Sequence, residues 1–243
     1  MVPKDKLTRI NGINSLFTSV VQLVAPFVAA TLMLFFSISQ ILWIDIITFF
    51  IALLPLVLIK IPSVNSFSEK LEHQREFSFM KEFHSGIKSI KIIPGLMTLM
   101  FYNMVINFLM IPITTLLSLF VNDTHGGGPS HYALVLFFLQ SGMIVGAIFT
   151  SIKKNWTDKT KTIFFSIIIA LIGALIFSLA PKGSYFIMAI GGIMIGLNLP
   201  IVNSLYQTIL QTVVPLDKIG RVTSIDSSLS WMLSPIATLL SGP

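Results

Sequence analysis

Polar side chains stranded in apolar sequence are the places where this chain could do chemistry. Asp45 stands in Trp43-Ile44-Asp45-Ile46-Ile47, and it is read as the one acid well inside an apolar segment. Asn103 and Asn107 lie at i,i+4, with Pro112 about one turn further on, Gln140 stands alone, and Asn198, Asn203 and Gln207 surround Pro200. A charge in hydrocarbon costs a few kcal/mol unless it faces a cavity or a partner, so each of these residues needs a reason to be there. Two readings of Asp45 stay open. It is a proton relay, or it makes an orienting hydrogen bond at a hydrated edge, since at ~1.5 Å per residue it stands about 7–8 Å from its segment's end. The amides divide in the same way. Lining a cavity, Asn103, Asn107, Asn198, Asn203 and Gln140 would bond a polar substrate without carrying charge, and the plainer alternative is interhelical glue.

Enzyme chemistry finds no footing. The chain has no H-E-x-x-H, G-x-S-x-G or P-loop pattern, and its four histidines are scattered. Gly126-Gly127-Gly128 follows an apolar segment and precedes Pro129, which is not a helix-opening phosphate cradle. With no Cys, neither a disulfide framework nor a thiolate ligand or nucleophile exists. No cofactor and no metal site are expected.

These residues are carried by seven apolar segments: Ile10 to Ser37, Gln40 to Leu58, Ile92 to Val121, Tyr132 to Ile152, Thr162 to Ala180, Tyr185 to Val214 and Val222 to Leu240. Each has the ~18–20 residues a helix needs to cross a ~30 Å hydrocarbon core. Among 243 residues 54% are hydrophobic and 11% charged, and mean hydropathy is +0.87. A soluble domain carries about 25% charged residues, so the composition specifies a lipid-embedded, all-α, polytopic membrane bundle. The first segment is too long for a signal-peptide core and is read as a span.

Charge placement sets the expected topology. All 16 Lys and Arg except Lys182 fall before the first segment or in the loops after the second, fourth and sixth. The positive-inside rule makes that side cytoplasmic, with the N-terminus inside a multi-pass cell-membrane protein. The net charge of +6 therefore reports topology rather than nucleic-acid binding. In the one long loop, Phe77 to Ile90 places Phe77, Met80, Phe83 or His84, Ile87 and Ile90 at helical spacing, as expected of an amphipathic helix in the cytoplasmic interface. His73 and His84 in that loop read as bystanders.

The chain also repeats itself. Val2 to Ser15 and Val214 to Ser227 align without a gap at an offset of 212, matching at Val, Pro, Asp, Lys, Arg, Ile and Ser. A V-P-x-D-K-x-x-x-R turn that twice feeds an apolar helix in the same orientation is the signature of a parallel-repeat transporter. Asp5 with Arg9, and Asp217 with Arg221, stand at i,i+4 where a cytoplasmic gate pair would lie; helix capping and topology are the simpler reading.

In order and spacing, the chain resembles the major facilitator superfamily, and within it the twelve-helix drug and siderophore exporters that include macrolide efflux proteins. The carriers are Val2 to Ser15 leading to Ala25-Pro26, the run Trp43 to Phe50, the Gly86-Ile87-Lys88 helix ending at Pro94-Gly95, and Gln140 to Gly146. The stretch from Gly191 through Gly196, Pro200 and Asn203 to Gln211, Val214-Pro215 and Gly220-Arg221 completes them. The resemblance implies two six-helix halves, with the first segment here standing as the fifth helix and the seventh as the eleventh. Residues 1–60 would then hold the last two helices of the N-terminal half, 61–91 a linker, and 92–243 five helices of the C-terminal half. The missing helices of the same fold would be supplied in cis or in trans. The glycine-rich signature of the exporters' fifth helix is met here by Ala25-Pro26 with Ala29-Ala30, which keeps close packing but departs from the glycines.

The expected function is alternating-access export of small amphipathic compounds, of the drug or macrolide type, driven by protons moving inward. Its partners are the lipid bilayer, a small-molecule substrate and protons. The proton coupling is implied by the resemblance. The alternative is a truncated, non-transporting membrane protein or remnant that packs with a partner chain.

Overall fold

The computed structural model describes residues 6–58, 79–153, 156–216 and 218–242. Among them the secondary structure is helical: α1 Leu7–Phe35, α2 Ile38–Leu58, α3 Phe79–Ile92, α4 Leu96–Leu119, α5 Pro129–Ile152, α6 Lys159–Ser178, α7 Tyr185–Val213, α8 Ile219–Met232 and α9 Ser234–Ser241. Six of these runs are long and apolar enough to cross a membrane: α1, Ile38–Pro55 in α2, α4 with the turn that follows it, α5, α6 and α7. In hydrocarbon the backbone must satisfy its own hydrogen bonds, and the helix does this within one segment.

The seventh apolar segment is not one continuous helix. It breaks at Leu233 into α8 and α9, with Pro235 in the first turn of α9. Proline lacks the N–H that a continuous helix would need and its ring clashes with the preceding turn, whereas the first turn of a new helix accommodates it. The third segment also starts later than expected, at Leu96. Pro94 and Gly95 separate it from α3, and Gly95 takes φ 78°, a left-handed conformation suited to glycine.

The chain forms two compact units. One contains residues 1–23 and 80–243, the other residues 24–79. In the second unit, the outer part of α1 and all of α2 expose large apolar side chains such as Phe27, Phe35, Trp43, Phe49 and Phe50, as suits contact with lipid.

In the first unit α7 is the spine. It packs tightly against both α5 and α6 because glycines let the backbones touch. A Cβ on Gly146 of α5 would strike the Leu197 carbonyl, and one on Gly191 of α7 would lie 2.6 Å from the Gly173 oxygen of α6. Membrane helices associate through such small-residue contacts, since apolar side chains gain nothing over lipid. The other flank of α7 meets a core in which Tyr206, Leu210 and Val214 pack with Ile90, Leu96, Met100, Val222 and Ile225. The apolar side of α3 is thus seated on protein, with Ile90 in this core and Ile87 packed against it. Its exposed Lys88 and Lys91 fit the amphipathic expectation.

Candidate functional site

Two polar clusters occupy opposite faces of α7 near its C-terminal end. The first joins α7 to the start of α1. Asn11, which is buried, donates through Nδ2 to Thr208 Oγ1 at 3.1 Å and to Gln211 Oε1 at 3.0 Å. One turn along, the hydroxyls of Ser15 and Ser204 share a hydrogen bond of 3.0 Å. The pairing follows from helix phase: Thr8, Asn11, Ser15 and Ser19 recur every three or four residues on α1, as Ser204, Thr208 and Gln211 do on α7. Gly12 lets the α1 backbone reach α5, where a Cβ would lie 2.8 Å from the Ser151 nitrogen. A cleft of about 420 Å³ opens beside these contacts, lined by Asn14, Thr18, Asn203 and Gln207 among others. This contact differs in kind from the α5–α7–α6 packing. Apart from the one Gly12 approach, it is held by a few neutral hydrogen bonds, so it can open without exposing a charge.

The second cluster lies between α7, α4 and α8. The Tyr206 hydroxyl donates to Asp226 Oδ1 at 2.6 Å, and both residues are buried; Asp226 is 5% exposed. Such a distance marks a short, strong hydrogen bond. Asn103 of α4 donates to Ser230 Oγ at 3.0 Å and lies close enough to the Tyr206–Asp226 pair to act on it. Asn107 completes the row by donating to the Asn103 carbonyl at 2.9 Å.

The residues singled out from sequence fall in several places. Asn103 and Asn107 do share a face, and Asn103 is part of the buried cluster. Asn203 lines the polar cleft. Asn198 is buried with its amide donated to the Met194 carbonyl of its own helix at 2.8 Å, and Gln140 is half-buried. Asp45 is exposed on α2, and the Thr48 hydroxyl bonds its backbone carbonyl rather than its carboxylate. Ala25 and Pro26 are exposed on an uninterrupted α1. Arg9 is exposed and Arg221 half-buried, while Asp5 and Asp217 lie outside the described residues.

One reading is corrected. Asp45 is not the one acid inside an apolar segment, because Asp226 stands within the seventh and is the buried one. Its place just after the charged turn hid it among the charges of helix entry. Tyr206, Asn11, Thr208 and Gln211 were missed as well. The polar stripe Thr8, Asn11, Ser15 and Ser19 was the available signal.

A family model matches this sequence of long apolar helices. The model described as Major Facilitator Superfamily aligns with residues 1–238, almost the whole chain. The chain belongs to the major facilitator superfamily. Among curated relatives of this superfamily member, a macrolide efflux protein A of Streptococcus pyogenes is 26% identical over 241 residues, covering 99% of this chain and 58% of the relative. A macrolide efflux protein A of Enterococcus faecalis is 25% identical over 236 residues, covering 97% of this chain and 72% of the relative. The chain thus spans little more than half the length of the first of these. No solved structure is significantly similar to it.

Proposed function

We propose that this superfamily member exports small amphipathic compounds, of the macrolide or drug type, by proton-coupled antiport through alternating access. The observation that carries the reading is the contrast between two kinds of helix contact. Glycines at several levels (Gly142, Gly146, Gly173, Gly191 and Gly196) fasten α5, α6 and α7 into one body, whereas α1 meets that body at a single glycine, Gly12, and otherwise through neutral side-chain hydrogen bonds around a polar cleft. Hydrogen bonds between membrane helices contribute about 0.6 kcal/mol on average, so a handful can close a gate and still release it thermally.

On the superfamily's two-half plan, α1 and α2 belong to the N-terminal half, α3 to the linker and α4 to α9 to the C-terminal half. The α1–α7 contact is then a contact between halves. The placement of Lys and Arg supports a cytoplasmic N-terminus, and with it a clamp on the cytoplasmic side. The clamped arrangement is accordingly the one closed to the cytoplasm. Asn203 and Gln207 in the cleft, together with Asn14 and Thr18, supply neutral hydrogen-bonding groups for the polar rim of an otherwise apolar substrate.

The test is extrusion of radiolabelled erythromycin from cells expressing the protein. Dissipating the proton gradient with ATP maintained should abolish extrusion. Extrusion that stops only when ATP is depleted with the gradient held would overturn the antiport reading, and failure to extrude any of a panel of macrolides and lipophilic cations would overturn export itself.

A further inference from the structure

A carboxyl group buried in a membrane bundle invites a question about its charge. Asp226 stands seven residues into α8, ~10 Å along the helix at 1.5 Å per residue, with its side chain buried. The groups found to reach its carboxyl are neutral, Tyr206 from α7 and Asn103 from α4. Removing a carboxylate from water costs several kcal/mol that neutral donors offset only in part. A chain that needed merely a polar knot here would be served by an amide, and the internal repeat shows one: the residue equivalent to Asp226 in the first copy, 212 positions earlier, is Asn14. The second copy therefore carries a titratable group where the first does not.

Its position is also connected. Tyr206 lies two residues from both Ser204 and Thr208, so at 3.6 residues per turn it points ~200° round α7 from the clamp residues. One helix, α7, thus contacts the acid of α8 through one face and Asn11 of α1 through the other.

We propose that Asp226 is the proton-carrying group of the transport cycle, and that α7 transmits its protonation to the clamp through Tyr206. This rests on the antiport reading above. With the cytoplasmic side closed, the carboxylate accepts the Tyr206 hydrogen bond. A proton arriving from outside adds to that carboxylate and makes a neutral acid, which has a hydrogen of its own to donate. The short Tyr206 bond is then no longer charge-assisted, and the restraint on α7 weakens. Movement of α7 strains the Asn11 bonds to Thr208 and Gln211, the cytoplasmic side opens, and the proton leaves inward to restore the carboxylate. The exported compound crosses in the opposite direction. The other titratable groups on the elements packed around Asp226 are Tyr102 on α4, Tyr185 at the far end of α7, Lys218 and Arg221 at the start of α8, and Lys81, Glu82, His84, Lys88 and Lys91 on α3; α9 carries none.

The test uses purified protein in proteoliposomes, with erythromycin as probe and two readouts: uphill uptake driven by an imposed pH gradient, and protons released on probe binding, followed with a pH dye. Wild type should show both. Asp226→Asn, a fixed mimic of the neutral acid, should lose at least tenfold in gradient-driven uptake and all probe-induced proton release. Tyr206→Phe should keep proton release but displace its pH midpoint. Asp158→Asn, a surface carboxylate paired with Lys161 at 2.8 Å, should change neither readout. Proton release persisting in Asp226→Asn overturns the assignment. Should that variant fail to fold, Asp226→Glu and Tyr206→Phe decide instead, and a pH midpoint unchanged in both overturns it. Wild-type protein that moves erythromycin downhill but never with the gradient would refute the antiport reading itself, an outcome distinct from either.

Discussion

Replacing Asn11 by alanine should release the α1–α7 contact by an amount that the structure bounds. The side chain makes two good hydrogen bonds, 3.1 Å to Thr208 and 3.0 Å to Gln211. The reverse approach of Gln211 Nε2 to Asn11 Oδ1, at 3.5 Å, adds little. At an average of about 0.6 kcal/mol each, with a ceiling near 1.7, the pair contributes roughly 1–3 kcal/mol. The lower end applies, because Thr208 keeps a second bond, its hydroxyl donating to the Ser204 carbonyl at 2.7 Å. A shift of about 1.4 kcal/mol moves a two-state equilibrium tenfold toward the state in which α1 and α7 are apart. The absence of cysteine makes the assay direct, since Ser151→Cys places a single thiol where α1 meets α5. Its labelling by a membrane-impermeant maleimide, in vesicles that expose the side bearing the N-terminus, should rise about tenfold with Asn11→Ala. It should change less than twofold with Asn14→Ala on the same helix. Equal effects from the two substitutions, or none from Asn11→Ala, would refute the argument that these bonds hold the contact closed.

Gly146→Leu should loosen α5 from α7, because the new side chain meets the Leu197 backbone, which cannot yield as a side-chain tip would; a cost of about 1–3 kcal/mol or more should appear as a lower Tm in thermal unfolding. Asp45→Asn should leave erythromycin extrusion within about twofold of wild type, since the carboxylate is exposed; a tenfold loss would return it to the proton pathway. Trp156 is buried with Ile163, Ile201 and Leu205 while Lys153 Nζ sits 4.3 Å above its ring. Trp156→Ala should therefore cost about 3–5 kcal/mol by the same thermal assay, and Lys153→Met less than about 1 kcal/mol.

The buried carboxyl and the clamp show where sequence reasoning stops. Apolar run lengths revealed the spans from Ile10 to Val214 because hydrocarbon thickness is a length criterion that each segment meets by itself. Pro94-Gly95 marked the end of α3 for an equally local reason, the lost N–H and the left-handed glycine. Pro235 carried the same signal, yet the length of the segment concealed it. Asn103 and Asn107 could be placed on one face from spacing alone, since 3.6 residues per turn is a property of one helix.

What each face meets is not such a property. Asn11 and Thr208 are 197 residues apart, and nothing near either names the other. Asp45 and Asp226 are each one acid in an apolar run, and local sequence ranked the exposed one first. Only packing turned Asp226 toward Tyr206 and Asn103 and left Asp45 facing outward. Membrane helices have no hydrophobic drive toward one another, so small residues and hydrogen bonds choose the neighbours. The sequence by itself therefore determined the helical membrane fold and the order of its spans. The tertiary structure decided which polar groups share a site, because that depends on the rotation of each helix against partners far away in the chain.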